Sequence, residues 1–273
     1  MYYKLLDWFD INKLNWAMLS SNPGAIHLLE KNLDKIDWFW LSKNPSAIHL
    51  LEKNLDKINW DMLSKNPSAI HLLEKNPDKI NWVVLSGNPG AIHLINKVLE
   101  KNPEKINWYY LSENPGAIHL LEQNPEKIYW GCLSLNPNAI HLIEKYPEKI
   151  DWSWLNCNSE AVHLLEQNPE QIDWDNLSSN PGAIHLIEKN PDKIHWFYLS
   201  CNPAAIHLIE QNPDKINWAW LSENPAIFTY DYDKIRAHCL IFKEDIMKNR
   251  FHPRNIPKFR DWGIDGFEYY EEE

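Results

Sequence analysis

The chain has 273 residues, 44% of them hydrophobic, and its 27 Lys and Arg against 38 Asp and Glu give a net charge of −11. No apolar stretch approaches the roughly 18 residues of a membrane span, and the N-terminus, MYYKLLDWFD, lacks the cleavage pattern of a signal peptide, so a cytoplasmic protein is expected. Fifteen Trp and 18 Pro beside 8 Gly is a bias that ordinary globular domains lack, and it points to a repeated unit.

Residues 1–15 precede the repeats and carry Leu5, Leu6, Trp8 and Phe9, apolar side chains able to cover a first repeat, so they are expected to form an N-terminal cap. From there Trp16, Trp38, Trp60, Trp82, Trp108, Trp130, Trp152, Trp174, Trp196 and Trp218 recur every 22 residues, with a single 26-residue step between Trp82 and Trp108. These ten tryptophans are the expected structural core of an array over residues 16–228. With Trp as position 1 the unit reads W-x-x-L-S-x-N-P-x-A-I-H-L-L-E-K-N-P-D-K-I-N, almost intact at residues 60–81.

Two Asn-Pro pairs per unit, at positions 7–8 and 17–18, predict two short helices, because Asn caps a helix and Pro suits its first position. Helix A is expected over residues 77–86 and helix B from Pro89 through His93. The long unit supports helices: its four extra residues in HLINKVLEKNPEK add about one turn and keep the buried face in phase. The spacing L-x-x-N also echoes leucine-rich repeats, but the two prolines would remove strand hydrogen bonds from every unit.

On helix B, Ala69, Ile70, Leu72 and Leu73 share one arc; on helix A the polar arc is expected to hold positions 5, 20, 2 and 6. One unit cannot offset the ordering of its own backbone, so units must stack. The fold class expected is therefore an all-α solenoid of ten two-helix repeats with caps at both ends, an open rod or superhelix about 90 to 100 Å long at the usual spacing of packed helices. Residues 229–273 complete it as a C-terminal capping helix and acidic tail: a helix over residues 232–250 carries Ile235, Leu240, Ile241 and Ile246, and residues 261–273 hold six acids and no base. The segregated charge of this tail also allows a separate docking site for an acidic partner.

Units of the form KINW-x-x-LS-x-NP-x-AIHLLEKNPD, followed by IFKEDIMKNRFHPRNIPKFRDWGIDGF around Phe251, His252 and Pro253, resemble the short tryptophan-rich tandem-repeat proteins of giant nucleocytoplasmic large DNA viruses. Leu33 and Leu55 replace the second Pro, Ser159 the first, and Tyr146 an Asn cap. The resemblance implies a viral product acting in the host cytoplasm and carries over no activity, catalytic residue or ligand.

Chemistry is sparsely signalled. The nine position-12 histidines (His27, His49, His71, His93, His119, His141, His163, His185, His207) would sit too far apart on stacked helices to share a metal, and a structural bond to a neighbouring Asn, Glu or backbone group is expected for each, with a pH-responsive surface as an addition. Cys157 and Cys201 occupy one position two repeats apart, a spacing of about 20 Å in stacked helices that is too long for them to pair, and no C-x-x-C spacing is present, so reduced thiols are expected. No phosphate-binding or dinucleotide-binding motif occurs either. Neither enzyme activity nor a cofactor is expected, since nearly every polar residue copies its neighbours in the other units.

Positions 2, 3 and 6 vary. Position 3 is mostly large and apolar, so partial burial is expected there. Positions 2 and 6 are i, i+4 neighbours on the polar arc, and the residues Phe39, Lys43, Asp61, Lys65, Tyr109, Glu113, Asp175 and Phe197 are the candidate partner-binding stripe. The expected partner is a protein. Residues 1–228 hold 19 basic and 28 acidic side chains, a net of −9 that would repel phosphates, so repeat-by-repeat reading of nucleic acid is a weaker alternative, as is a structural or virion role. A membrane partner is not expected, and the oligomeric state is open.

Overall fold

The computed structural model describes residues 3–245 and residue 248; the tail match at Phe251, His252 and Pro253, the end of the expected helix at Ile246 and the acidic residues 261–273 lie outside the described residues. The chain divides into two compact units, Leu5–Phe228 and a second made of the segments on either side of it, Met1–Lys4 and Thr229–Glu273. The first is an all-α array of ten tryptophan repeats.

In the unit starting at Trp60, helix A is the single turn Trp60–Ser64 and helix B is Ile70–Lys75, followed by a tight 3-10 turn Pro77–Lys79. The continuous helix expected over residues 77–86 is interrupted. Ile80 is extended, and Asn81 at φ −85°, ψ 96° accepts the Val84 N–H on its side chain, which starts a fresh helix at Trp82. Position 22, not position 17, is thus the N-cap of helix A. The Asn76 amide instead donates to the Leu72 carbonyl at 2.9 Å, tying off the end of helix B. An Asx side chain competes with backbone bonding wherever it can reach the N–H two or three residues on, and position 22 wins that contest here.

The apolar core runs through position 4, position 10 and position 14, where Leu63, Ala69 and Leu73 are fully buried. Each Trp packs against this core half-buried, and a lysine from position 20 of its own unit lies over the ring: Lys79 Nζ is 4.5 Å from the Trp60 ring centre. Nine of the ten tryptophans carry such a lysine; Trp152, whose unit has Gln171 at that place, is the exception.

Position 5, expected on the polar arc, is buried. Ser64 donates to the Trp60 carbonyl at 2.8 Å and accepts the Asn81 N–H at 3.1 Å, so a one-turn helix is pinned at its start and linked to the next cap. Its small hydroxyl pairs two backbone groups that burial would otherwise leave unsatisfied.

Successive units are joined by the position-7 asparagine. Asn66 donates through Nδ2 to the carbonyls of Ser42 and Asn44 in the preceding unit at 3.0 and 2.9 Å, while its Oδ1 accepts the Ser68 N–H. The same two bonds recur in every unit, and they do not stop at the first. Asn22 donates to Ser222 and Asn224 of the tenth unit at 3.0 and 2.9 Å, so the array closes on itself.

Closure overturns the expectation of an open rod with two caps. Residues 10–15 are the missing last quarter of unit ten: the Asn15 N–H donates to Ser222 Oγ at 2.8 Å, as position 22 does elsewhere, and Lys13 lies 5.0 Å over the Trp218 ring. Phe9 packs edge-on against Trp218 at 6.2 Å, so it covers the last unit and not the first. In sequence, helix B of unit ten is replaced by β2 (Phe228–Tyr230), which pairs with β1 (Tyr3–Leu5), and the Leu6 N–H donates to the Ile227 carbonyl at 2.9 Å. The helix Tyr232–Asp245 belongs to the other unit and keeps Leu240 and Phe242 exposed; the apolar ends of the array, which it was expected to cover, already cover each other.

Candidate functional site: the variable face of helix A

Position 2 faces solvent in the structure. Phe39 is 46% exposed, Tyr109 44% and Phe197 40%, and Asp61 and Asp175 are exposed beside them. A helix of one or two turns has its first turn held by the cap and its position-4 leucine buried, which leaves position 2 pointing away from the core.

Position 6 does not extend that stripe as expected. Lys43 forms an ion pair with Glu223 at 2.7 Å, reaching past Ser21, whose hydroxyl also donates to Glu223 at 3.2 Å. These three residues come from units two, ten and one. In a closed array, side chains two units apart meet only on the side facing its centre, so position 6 lines an inner rim. Glu113 is half-buried there; desolvation raises its carboxyl above the usual carboxylate range, against the opposing pull of Lys65, which remains exposed. Cys157 and Cys201 share this rim, and the straight-stack spacing of 20 Å does not apply to them. Burial raises both thiols, and Cys157 adds to the shift of Cys201.

The neighbours of position 2 are instead positions 3 and 22. Tyr109 meets Tyr110 at 5.4 Å and Tyr129 at 5.7 Å between ring centres, and the neighbouring Cys132 thiol raises its phenol above the ordinary value. Phe197 meets Tyr198 at 5.3 Å and Trp220 of the next unit at 5.4 Å, while His195 tilts over Tyr198 at 4.8 Å. Phe39 stands edge-on to Trp40, over which Lys43 lies.

Tyr129 and His195 escaped the sequence reading, as did the exposure of Trp154 at 47%. The signal was available: position 22 is Asn or Asp in eight units and caps by accepting an N–H, whereas Tyr129 and His195 make no capping bond. Position 3 was expected to be partly buried, and Trp154 and Trp220 depart from that by standing exposed. A shallow, open groove of about 480 Å³ lies between units three and four, lined by Asp61, Asp78, Lys79, Val83, Glu104 and Lys105 among others.

The histidines are held elsewhere. His49 Nε2 lies 2.8 Å from Glu30 of the preceding unit, and six further His–Glu pairs of the same kind fall between 2.7 and 3.0 Å among the described residues. His119 faces the lengthened unit, where Asn96 replaces the Glu, and His27 lies 3.1 Å from Glu30 of its own unit. Burial acts to raise the Glu30 carboxyl, but hydrogen bonds from His49 and His27 outweigh it and hold the group below its ordinary value.

These features define a closed all-α tandem-repeat protein with an invariant hydrogen-bonded frame and a varied, aromatic-rich face. No family model, curated protein or solved structure matches the chain. Among the described residues no helix is long and apolar enough to cross a membrane.

Proposed function

We propose that the protein is a non-enzymatic scaffold that binds a protein partner across positions 2, 3 and 22 of helix A, acting in the host cytoplasm as the resemblance to giant-virus repeat proteins implies. The observation that supports this reading is the partition of the repeat. Positions 4, 5, 7, 10 and 14 are spent on packing and on the hydrogen-bonded frame, while exposed aromatic rings concentrate at positions 2, 3 and 22, whose aromatic side chains take no part in that frame. Aromatic side chains bury large area at low entropic cost, which is why interfaces favour them and bare surfaces do not. The net charge of −9 over residues 1–228 argues for protein over nucleic acid.

The test is affinity capture from a eukaryotic cell lysate with the wild type and with Phe39→Ser, Tyr109→Ser and Phe197→Ser combined. Because these side chains are more than one-third exposed, the triple variant should melt close to the wild type and lose the main captured protein. A folded triple variant that captures the same partner would place the contact elsewhere.

A further inference from the structure

Units six and seven depart from the others at several points that meet in one sector of the variable face. Gly131, at position 2 of unit six, has no side chain where other units present Phe, Tyr, Val or Asp. A Cβ built there would just touch Asp151 Oδ2 at 3.4 Å and the five-membered ring of Trp154 at 3.5 Å, so the missing side chain leaves one carboxylate and one tryptophan side by side at a shallow notch. Trp154 is 47% exposed, the most exposed of the tryptophans among the described residues. Asp151 accepts the Trp154 N–H through Oδ1 at 3.3 Å and leaves Oδ2 facing the notch.

The charge around the notch is altered as well. By the period of the repeat, the groove that holds Asp61, Lys79 and Lys105 between units three and four corresponds here to Gly131, Lys149 and Gln171, flanked by Glu148, Asp151 and Glu170. One lysine of the pair is absent. The other, Lys149, lies 4.7 Å over Trp130 and 5.3 Å over Tyr146. Elsewhere the molecule satisfies each tryptophan of the frame with a cation of its own; in this sector it supplies a tryptophan and a carboxylate without one.

Resting on the scaffold reading, we propose that the Gly131–Asp151–Trp154 notch receives an arginine side chain of a basic segment in the partner protein. A guanidinium is flat, so it stacks on an indole face while its N–H groups pair with a carboxylate at the edge, which an ammonium does less well. The notch, bounded by an indole on one side and Oδ2 on another, has the two groups that this geometry requires. Acidic surroundings favour approach of a basic segment over an acidic or apolar one.

The experiment is fluorescence anisotropy with a short fluorescein-labelled peptide alternating Gly and Arg, and with the same peptide carrying citrulline, the uncharged analogue of Arg, at physiological ionic strength. The full chain is compared with Asp151→Asn, Trp154→Ala and Gly131→Phe. Asp151→Asn keeps the helix cap, as Asn does at Asn59 and Asn81, and circular dichroism verifies the fold of all three. The wild type should bind the Arg peptide and not the citrulline peptide, and each variant should weaken binding by about tenfold or more. Absence of Arg-peptide binding, equal binding of citrulline, or binding that all three folded variants retain would each overturn the assignment. Lysate capture that depends on Phe39, Tyr109 and Phe197 would survive such a failure, so loss of this inference and loss of the scaffold reading are separately readable.

Discussion

Replacing Asn22 by Ala tests closure directly. In the closed array its Nδ2 donates to two carbonyls of unit ten and its Oδ1 accepts the Gly24 N–H, three bonds in all. Asn114, midway along the chain, makes the equivalent three, to Ser86, Asn88 and Gly116. At about 1 kcal/mol per hydrogen bond, and somewhat more because the side chain is buried, each Ala substitution should cost about 3 to 5 kcal/mol. In an open array Asn22 would have no preceding unit, and its loss would cost only a cap, about 1 kcal/mol. Urea unfolding followed by circular dichroism gives the two values, and amide exchange locates the damage. Asn22→Ala should expose amides of units one and ten together. A cost near 1 kcal/mol for Asn22→Ala beside a full cost for Asn114→Ala, with unit ten still protected, would refute closure.

Gln171→Lys should restore the missing cation over Trp152 and raise stability by about 0.5 to 1 kcal/mol, measured as a higher urea midpoint at unchanged slope. Glu30 has a lowered folded value, so its contribution is present above the unfolded value of 4.5 and is lost as pH falls through the folded one; the melting-temperature gap between wild type and Glu30→Gln should be open at pH 6 and closed by about pH 3. Glu113 has the opposite sign: its raised value means the charged form costs stability at neutral pH, so Glu113→Gln should melt higher than wild type at pH 7 and level with it in acid. If the two glutamates behave alike, the inner rim and the outer His–Glu pairs do not differ in environment as the structure has them.

The period, the helical content and the burial of positions 4, 10 and 14 were readable because each rests on local chemistry: Pro fixes φ, Asn caps, and an apolar arc must be covered. The position-17 asparagine misled because Asn-Pro is a good helix start in isolation; only the packed unit shows Asn76 bonding backwards to Leu72. Ser64 looked like surface because a hydroxyl on a polar arc usually is, and its two partners lie 4 and 17 residues away. Closure was the larger miss. Residues 10–15, DINKLN, match positions 17–22 of the unit at Lys13 and Asn15, with Leu14 for Ile, so a fragment of the repeat stood in front of the first tryptophan. Reading it as a cap followed from assuming that a tandem array has ends. The exposure of position 2 was legible and the inward placement of position 6 was not, since a helical wheel cannot show that curvature turns one side of a short helix toward distant units.

The asparagine ladder also governs how such a gene can change. A linear array tolerates gain or loss of a unit, because each neighbour simply meets the next. Here every position-7 Asn must find the position-5 and position-7 carbonyls one step back around a complete circuit, so an eleventh unit or a ninth would have to alter the bend at all the other joints at once. The lengthened unit shows which changes escape this constraint. Its four extra residues lie in the helix Ile92–Lys101, and Asn114 still reaches Ser86 and Asn88, now 28 and 26 residues back where other units span 24 and 22. Length is free to drift on the helix B side and counted on the ladder, which leaves unit number as the inherited quantity and the letters at positions 2, 3 and 22 as the ones open to revision.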